Sequence, residues 1–321
     1  MTSLPGSSEL APIVGVPWRR RDGTPYLSAL EVWARCRGLL PRYSSESSPD
    51  ADAGNDMQPG VGLRWSRARG GATIVPGPRL EEPGLAHPDV PFTTRPDFLV
   101  PELRTVLEVK APRELEAEEW GPDGTAEAPP WYVVQVLAQL AIVRRHGDYE
   151  RAELFARARA ARRGERVQAS YVFVLDEVRE ARLIRKVREW VERHVVDGVP
   201  PPPDGSPSAT STLTRIFRPT DTILEANDDD IRVWHTLLQN RTARDEIEAR
   251  IREDEQTLMA RMKGATVLAR NGKRFVTWRA RARATRIDIP RLRREAPDVA
   301  EKFTVAGEAG RTFRIEHPEE P

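Results

Sequence analysis

Lysine is scarce in this chain. Of 50 basic residues only five are lysine (Lys110, Lys186, Lys263, Lys273 and Lys302) and the rest are arginine. A lysine kept against that bias marks a place where a compact ammonium serves and a planar guanidinium does not. Cysteine is reduced to Cys36 alone. That excludes an internal disulfide and any four-cysteine zinc or iron–sulfur site. The five histidines (His87, His146, His194, His235 and His317) are scattered, and they read as packing or surface residues. No apolar run approaches the roughly 20 residues that span a bilayer. The N-terminus lacks the basic-then-apolar pattern of a signal peptide. The expectation is a cytoplasmic protein with no membrane contact and no iron–sulfur cluster, holding any metal through oxygen.

A length of 321 residues with 39% hydrophobic and 31% charged residues suits one large domain or two, with a proper core. The net charge of +1 hides an asymmetry. Between Arg261 and Arg294 there are twelve basic residues and one acid, Asp288, so this segment carries +11 and the remainder −10. A split of this size is an electrostatic footprint. Residues 1–225 are expected to form one domain and residues 226–321 a second region.

Ser7-Ser8-Glu9-Leu10 has the form of a capped helix start, and Tyr26 to Arg37 reads as a helix ended by Gly38. Ser44 to Asp56 is expected to be a loop, Met57 to Arg67 a helix, and Ala72 to Val75 a strand. Trp131 to Arg145 is helical, with Tyr132, Gln135 and Gln139 on one face and Val133, Val136, Leu137 and Leu140 on the core side. Ala169 to Leu175 reads as a buried strand and Glu177 to Val196 as an amphipathic helix. The proline run from Pro200, with the Ser/Thr-rich stretch after it, reads as a linker. Asp228-Asp229-Asp230 opens a long helix with a narrow apolar stripe, either packed on the body or offered to a partner. Asn271-Gly272 between two apolar runs signals a hairpin. Arg279, Arg281 and Arg283 alternate with alanines beyond it. Two readings of this tail stand side by side, a grip on DNA backbone and an ordinary solvated hairpin.

Chemistry concentrates in Arg95-Pro96-Asp97-Phe98-Leu99-Val100 and Thr105-Val106-Leu107-Glu108-Val109-Lys110, two strand-like runs around the four-residue loop Pro101-Glu102-Leu103-Arg104. If Val100 pairs with Thr105, Asp97 lies opposite Glu108, and opposed Cβ atoms sit roughly 4.5–5.5 Å apart. Alternation puts Glu108 and Lys110 on one face and Leu107 and Val109 on the other. Two carboxylates so placed suit Mg²⁺ or Mn²⁺. The ammonium can orient or deprotonate a water or stabilise phosphate charge. The bland alternative is a surface hairpin with a Glu–Lys pair; the scarcity of lysine argues against it.

The ordered set "GSSELAPIVGV", "YLSALEVWARCRG", "HPDVPFTTRPDFLV", "VLEVKAP", "PPWYVVQVLAQLAIV", "REWVERHVVDGVPPPPDG" and "NGKRFVTWRA" resembles the lambda-exonuclease-like, YqaJ-type viral recombinases of the PD-(D/E)xK nuclease superfamily. The resemblance implies an α/β fold: a nuclease-like core with a central mixed sheet flanked by helices, plus a long C-terminal helix and β-hairpin. It implies a metal-dependent exonuclease on double-stranded DNA ends, digesting 5′ to 3′ and leaving 3′ tails for a single-strand annealing recombinase. Homo-oligomeric rings occur in such families. Carried over residue by residue, Asp97, Glu108, Lys110 and Gln135 would be catalytic. Asp97, Glu108 and the Val109 backbone carbonyl would hold Mg²⁺ or Mn²⁺. Ser8, Tyr132 and Gln139 would face DNA.

Two departures accompany the resemblance. The family's metal-binding glutamate, set in Gly-Asn-x-x-Glu, is replaced in Gly54-Asn55-Asp56-Met57-Gln58 by Gln58. An amide offers one carbonyl oxygen and no charge; Asp56 is the alternative donor. The family's basic residue before the opening serine is missing from Met1 to Gly6, with Arg19, Arg20 or Arg21 as substitutes. These departures keep two other readings open: a catalytically weakened DNA-binding or scaffold protein on a nuclease fold, and a defence-type endonuclease of the same superfamily.

Overall fold

Five strands in unbroken chain order make the central sheet: β1 (Val75–Pro76), β2 (Phe98–Val100), β3 (Thr105–Lys110), β4 (Arg151–Arg157) and β5 (Gln168–Val174). All pairs are antiparallel except β3–β4, which is parallel. The computed structural model describes residues 2–16, 26–42, 49–79, 82–115, 119–159, 166–220, 222–280 and 288–304, with 49–55 as backbone only. The chain divides into two units, Met1–Arg218 and Pro219–Pro321.

In the first unit, residues 7–13 make a single 3₁₀ turn and one turn of helix, α1 (Leu10–Ile13). The expected serine cap is not made. The Ser7 hydroxyl shares a hydrogen bond with Thr94 at 2.8 Å, and Glu9 accepts from the Gly6 amide at 2.7 Å instead. Helix α2 (Ala29–Cys36) is capped by Ser28, which accepts from the Glu31 amide, and it ends at Gly38 with φ 71°. Helix α3 (Pro49–Arg67) starts well before Met57, within the stretch expected to be a loop. Proline is tolerated in a first helical turn, where its missing donor would have no helical partner. Helix α4 (Pro130–Val143) supplies the crossover that a parallel β3–β4 pair requires.

Strand β4 was not signalled by the sequence. Its central residues are buried, but arginines at both ends and an interior glutamate mask the pattern. In β5 alternate residues are buried, so it is a one-faced edge strand and not a wholly buried run. Helix α5 (Glu177–Trp190) continues as a π-helical stretch over Val191–Val196. The expected linker is in fact partly helix α6 (Pro207–Ile216). Ser206 caps it by accepting from the Ala209 amide at 3.0 Å, and Ser208 bonds to the Ser28 hydroxyl at 2.9 Å. Serine before proline is a helix start when a neighbouring helix, here α2, takes the next hydroxyl.

Two layers cover the sheet. On one face Val106, Ala152, Leu154 and Tyr171 pack with α4. On the other, Phe98, Val100, Leu107, Val109 and Phe155 pack with Val61 and Trp65 of α3. Gly62 lets α3 come down onto β2, since a Cβ there would lie 2.5 Å from the Phe98 ring. No described helix is long and apolar enough to cross a membrane.

The second unit holds α7 (Asp228–Met262), the hairpin β6 (Val267–Arg270) and β7 (Lys273–Thr277), α8 (Ile289–Glu295) and α9 (Pro297–Lys302). Asn227 and Asp230 form a reciprocal cap on α7. Asn271 and Gly272, with φ 51° and 75°, make the expected turn. Of the α7 stripe, Met262 is buried, whereas Ile247 and Ile251 are exposed.

Candidate active site

The turn between β2 and β3 sets the register. Pro101–Leu103 forms one 3₁₀ turn, and Arg104 takes φ 49° to close it. Val100 then pairs with Thr105, Leu99 with Val106 and Phe98 with Leu107. One step further along, Asp97 comes level with Glu108. The Asp97 carboxylate accepts from the Val109 amide at 2.8 Å, which tethers it to β3. Behind it the Gly77 amide donates to the Asp97 carbonyl at 3.0 Å. A Cβ on Gly77 would sit 1.8 Å from the Pro96 carbonyl oxygen, so only glycine fits there.

Glu108 is 2% exposed. Its Oε1 accepts from Gln135 Nε2 at 2.6 Å and from Lys110, and its Oε2 accepts from Gln139 Nε2 at 2.7 Å. Gln135 and Gln139 are one helical turn apart on α4, so one face of that helix grips both oxygens of a single carboxylate. Gln139 is fully buried behind Glu108. Its position is therefore that of a support, not of the DNA contact expected from its helix face. Lys110 Nζ also lies 5.1 Å from the centre of the Tyr132 ring. Tyr132 is half-buried, with its ring centre 5.8 Å from that of the buried Trp120. Gln58, from α3, donates a hydrogen bond to Asp97.

These groups perturb one another. Burial, and then the neighbouring Glu108 carboxylate, push Asp97 up to about 7, against the opposing pull of Lys110, the Val109 amide and Gln58. Burial alone would lower Lys110, but Glu108 and Asp97 beside it hold the ammonium above its ordinary range. Burial raises the Tyr132 phenol. Two carboxylates in one buried spot with a single ammonium leave an unbalanced negative charge, the environment a cation fills. The donors within reach are hard oxygens: Asp97, Glu108 and the Gln58 amide oxygen if that side chain turns over. Among the described residues no group of three His, Cys, Asp or Glu side chains converges. The set therefore fits one hard divalent ion of the Mg²⁺ or Mn²⁺ kind, with a weaker charge count than a three-carboxylate site.

Asp97, Glu108, Lys110, Gln135 and Gln58 line one end of a cavity of about 770 Å³. Ser7, Ser8, Arg35 and Arg42 line another part of it. Here the sequence reading missed two residues. Arg35 and Arg42 bring basic charge to the opening serines from α2 and the turn after it. Glu9 pairs with Arg42 at 2.7 Å and Arg35 at 3.5 Å, and Glu31 with Arg35 at 2.5 Å. The spacing Glu31–Arg35, four apart on a helix, was the available signal for one of these pairs. Arg19, Arg20 and Arg21 lie outside the described residues, as do Arg281 and Arg283 of the tail. Arg279 is exposed beyond β7.

No protein-family model matches the chain, and no curated protein matches it significantly. Among solved structures it is similar to LHK-Exo in complex with dAMP, at 16% identity and TM-score 0.46, covering 60% of this chain and 89% of that one. It is also similar to the alkaline exonuclease LHK-Exo of Laribacter hongkongensis in a second structure, at 15% identity and TM-score 0.43, over 60% and 88% of the two chains. A phage-related exonuclease of Haemophilus somnus 129PT aligns at 11% identity and TM-score 0.40, over 62% and 98%.

Proposed function

We propose that this chain is a divalent-metal-dependent DNA exonuclease. One observation carries the reading: Asp97, Glu108, Lys110 and Gln135 meet at the wall of an open cavity, with Gln58 closing over Asp97. Asp97 and Glu108 would hold Mg²⁺ or Mn²⁺, with the Val109 carbonyl and the Gln58 amide oxygen as neutral donors. When bound, the ion supplies Lewis acidity toward the phosphodiester and lowers the pKa of a water.

The chain's own residues do the rest. Lys110 stays an ammonium at working pH, so it acts as a fixed positive donor toward a phosphate oxygen and not as a base. Gln135 and Gln139 hold Glu108 in one orientation, which keeps its oxygens from swinging away when charge develops. The Val109 amide does the same for Asp97. Ser8 and the arginine-bearing part of the cavity suit a phosphate further along the strand.

Digestion from 5′ to 3′, the 3′-tailed product and a strand-annealing partner rest on the resemblance of the sequence. Linear duplex DNA with Mg²⁺ or Mn²⁺ tests the activity, and closed circular DNA separates an end-dependent enzyme from a defence-type endonuclease. Absence of degradation with any divalent ion, in a folded preparation, would sink the reading. One observation favours a second reading, a weakened DNA-binding protein: the position facing Asp97 is held by Gln58 and not by a third carboxylate. Such a protein need not take up Mn²⁺.

A further inference from the structure

We propose that a second groove in the first unit, lined by α3 and the ends of β4 and β5, holds a backbone phosphate of the nucleic acid being processed. The inference rests on the nuclease reading above. The groove has a volume of about 600 Å³ and is lined by Arg64, Arg67, Arg157 and Gln168, with Asp56 as its one acid. Arg64 Nε donates to Gln168 Oε1 at 3.0 Å, and Arg157 Nη1 reaches the same oxygen at 3.5 Å. Two guanidinium groups therefore converge on one neutral acceptor. Arg67 stands one helical turn beyond Arg64.

These three have no ion-pair partner among the described residues, as is also true of Arg151, Arg166 and Arg188, whose partners are neutral oxygens; what sets the three apart is that they line one groove together with a single acid. Other arginines of the unit meet carboxylates: Arg69 meets Glu153, Arg104 meets Asp148 and Glu150, and Arg144 and Arg145 meet Glu180. A helix's last turn favours basic residues through its dipole. That accounts for Arg64 and Arg67 but not for Arg157, which comes from β4. Three cations on two elements facing one pocket, with one acid at hand, leave a net positive site. Guanidinium forks match tetrahedral phosphate oxygens in pairs.

Position ties the groove to the catalytic residues. In the β3–β4 ladder Lys110 is level with Ala156, and the next residue, Arg157, pairs with Gln168 on β5. Neighbouring strands lie about 4.8 Å apart, so β5 is about 10 Å from β3 at that level. Duplex DNA carries a phosphate on each strand about every 3.4 Å along its axis, so about 10 Å corresponds to roughly three nucleotides. Arg157, two residues beyond Phe155, is on the α3 face of the sheet, whereas Glu108 and Lys110 are on the α4 face, so a backbone leaving the catalytic cavity reaches the groove by passing round this end of the sheet.

Phosphate chemistry has two sources here, a polynucleotide and free inorganic phosphate. The test uses the full chain, with Ca²⁺ replacing the catalytic ion, and fluorescence anisotropy of a labelled duplex over a salt series. Each phosphate contact contributes about 0.9 to the slope of log affinity against log salt. The Arg64→Gln/Arg157→Gln variant is expected to bind about tenfold more weakly and to lose about two from the slope. Arg64→Lys/Arg157→Lys is expected to keep the slope, because charge is retained. The control pair Arg182→Gln/Arg185→Gln, which removes the same charge from α5, is expected to change the slope by less than about half a unit. An unchanged slope in the glutamine variant, or an equal loss in the control, overturns the proposal. Calorimetry with inorganic phosphate forms the second arm. Loss of phosphate binding without loss of duplex affinity assigns the groove to the free ion and overturns the polynucleotide assignment. Wild-type cleavage of linear duplex with Mg²⁺ is measured alongside. If the wild type cleaves and the slope does not move, the groove is wrong and the nuclease reading stands; if the wild type neither binds nor cleaves, the nuclease reading itself has failed.

Discussion

Metal uptake at Asp97 should depend steeply on pH, and the site's geometry sets the sign. Asp97 is pushed up to about 7 by burial and by Glu108. A carboxyl whose folded pKa is raised binds more protons folded than unfolded, so the metal-free protein loses stability as pH rises from about 4 to about 7. A divalent ion reverses this, because it binds only the ionised form and expels the proton. At about pH 5 roughly one Asp97 in a hundred is ionised, so the apparent Kd for Mn²⁺ should be about 100-fold weaker than its value above about pH 8. At about pH 6 close to one proton should leave per ion bound. Calorimetry in buffers of different ionisation enthalpy measures both quantities. Asp97→Asn should weaken binding and flatten the pH profile together. A wild-type Kd that varies less than about threefold over this range, with no proton release, would refute the argument: Asp97 would then be ionised already or would not touch the ion.

Lys110→Ala should lower cleavage by about 10²–10³-fold with the fold intact, since it removes one fixed positive donor; near-normal turnover in steady-state assays would remove Lys110 from the chemistry. Gln58→Glu should tighten Mn²⁺ binding by about tenfold or more while lowering the melting temperature of the metal-free protein, because it adds a third carboxylate beside Asp97; an unchanged affinity by calorimetry would mean that position 58 does not reach the ion. Gln139→Leu leaves the buried Glu108 Oε2 without its donor and should destabilise by about 1–3 kcal/mol in urea unfolding; a neutral result would contradict the support role. Gly62→Ala sets about 1 kcal/mol of gained helix propensity against about 1–3 kcal/mol of overpacking on Phe98. A net loss in melting temperature is expected, and a gain would show that α3 can lift from β2 freely.

Some of this was legible from neighbours in the chain. A four-residue loop between alternating strands was enough to place Asp97 opposite Glu108, because turn length and the two-residue period of a strand are local properties. The Asn271-Gly272 turn and the Asp228-Asp229-Asp230 start of α7 were legible for the same reason, whereas the Asn227 cap was not read. Other features were not. RAELFAR, at 151–157, hides a buried strand behind its end arginines. The serines after Pro203 form a helix because α2 is there to receive Ser208. Residues 49–56 are helical, although their Asp, Ala and Gly content reads as a loop; Ser44 to Ser48 of the expected loop lie outside the described residues.

The sequence alone therefore determined which residue types could meet at the site: two carboxylates, a rare lysine and glutamines at helical spacing. Only the tertiary structure decided their roles. It laid α4 over β3, so that Gln135 faces the cavity while Gln139 is sealed behind Glu108. Through Gly62 it also brought α3 against β2, which sets Gln58 beside Asp97, and it brought Arg64 and Arg67 of the same helix to one groove with Arg157 of β4. The physical reason is that a helix face is read from local periodicity, whereas the strand it covers is chosen by apolar burial between segments far apart in the chain.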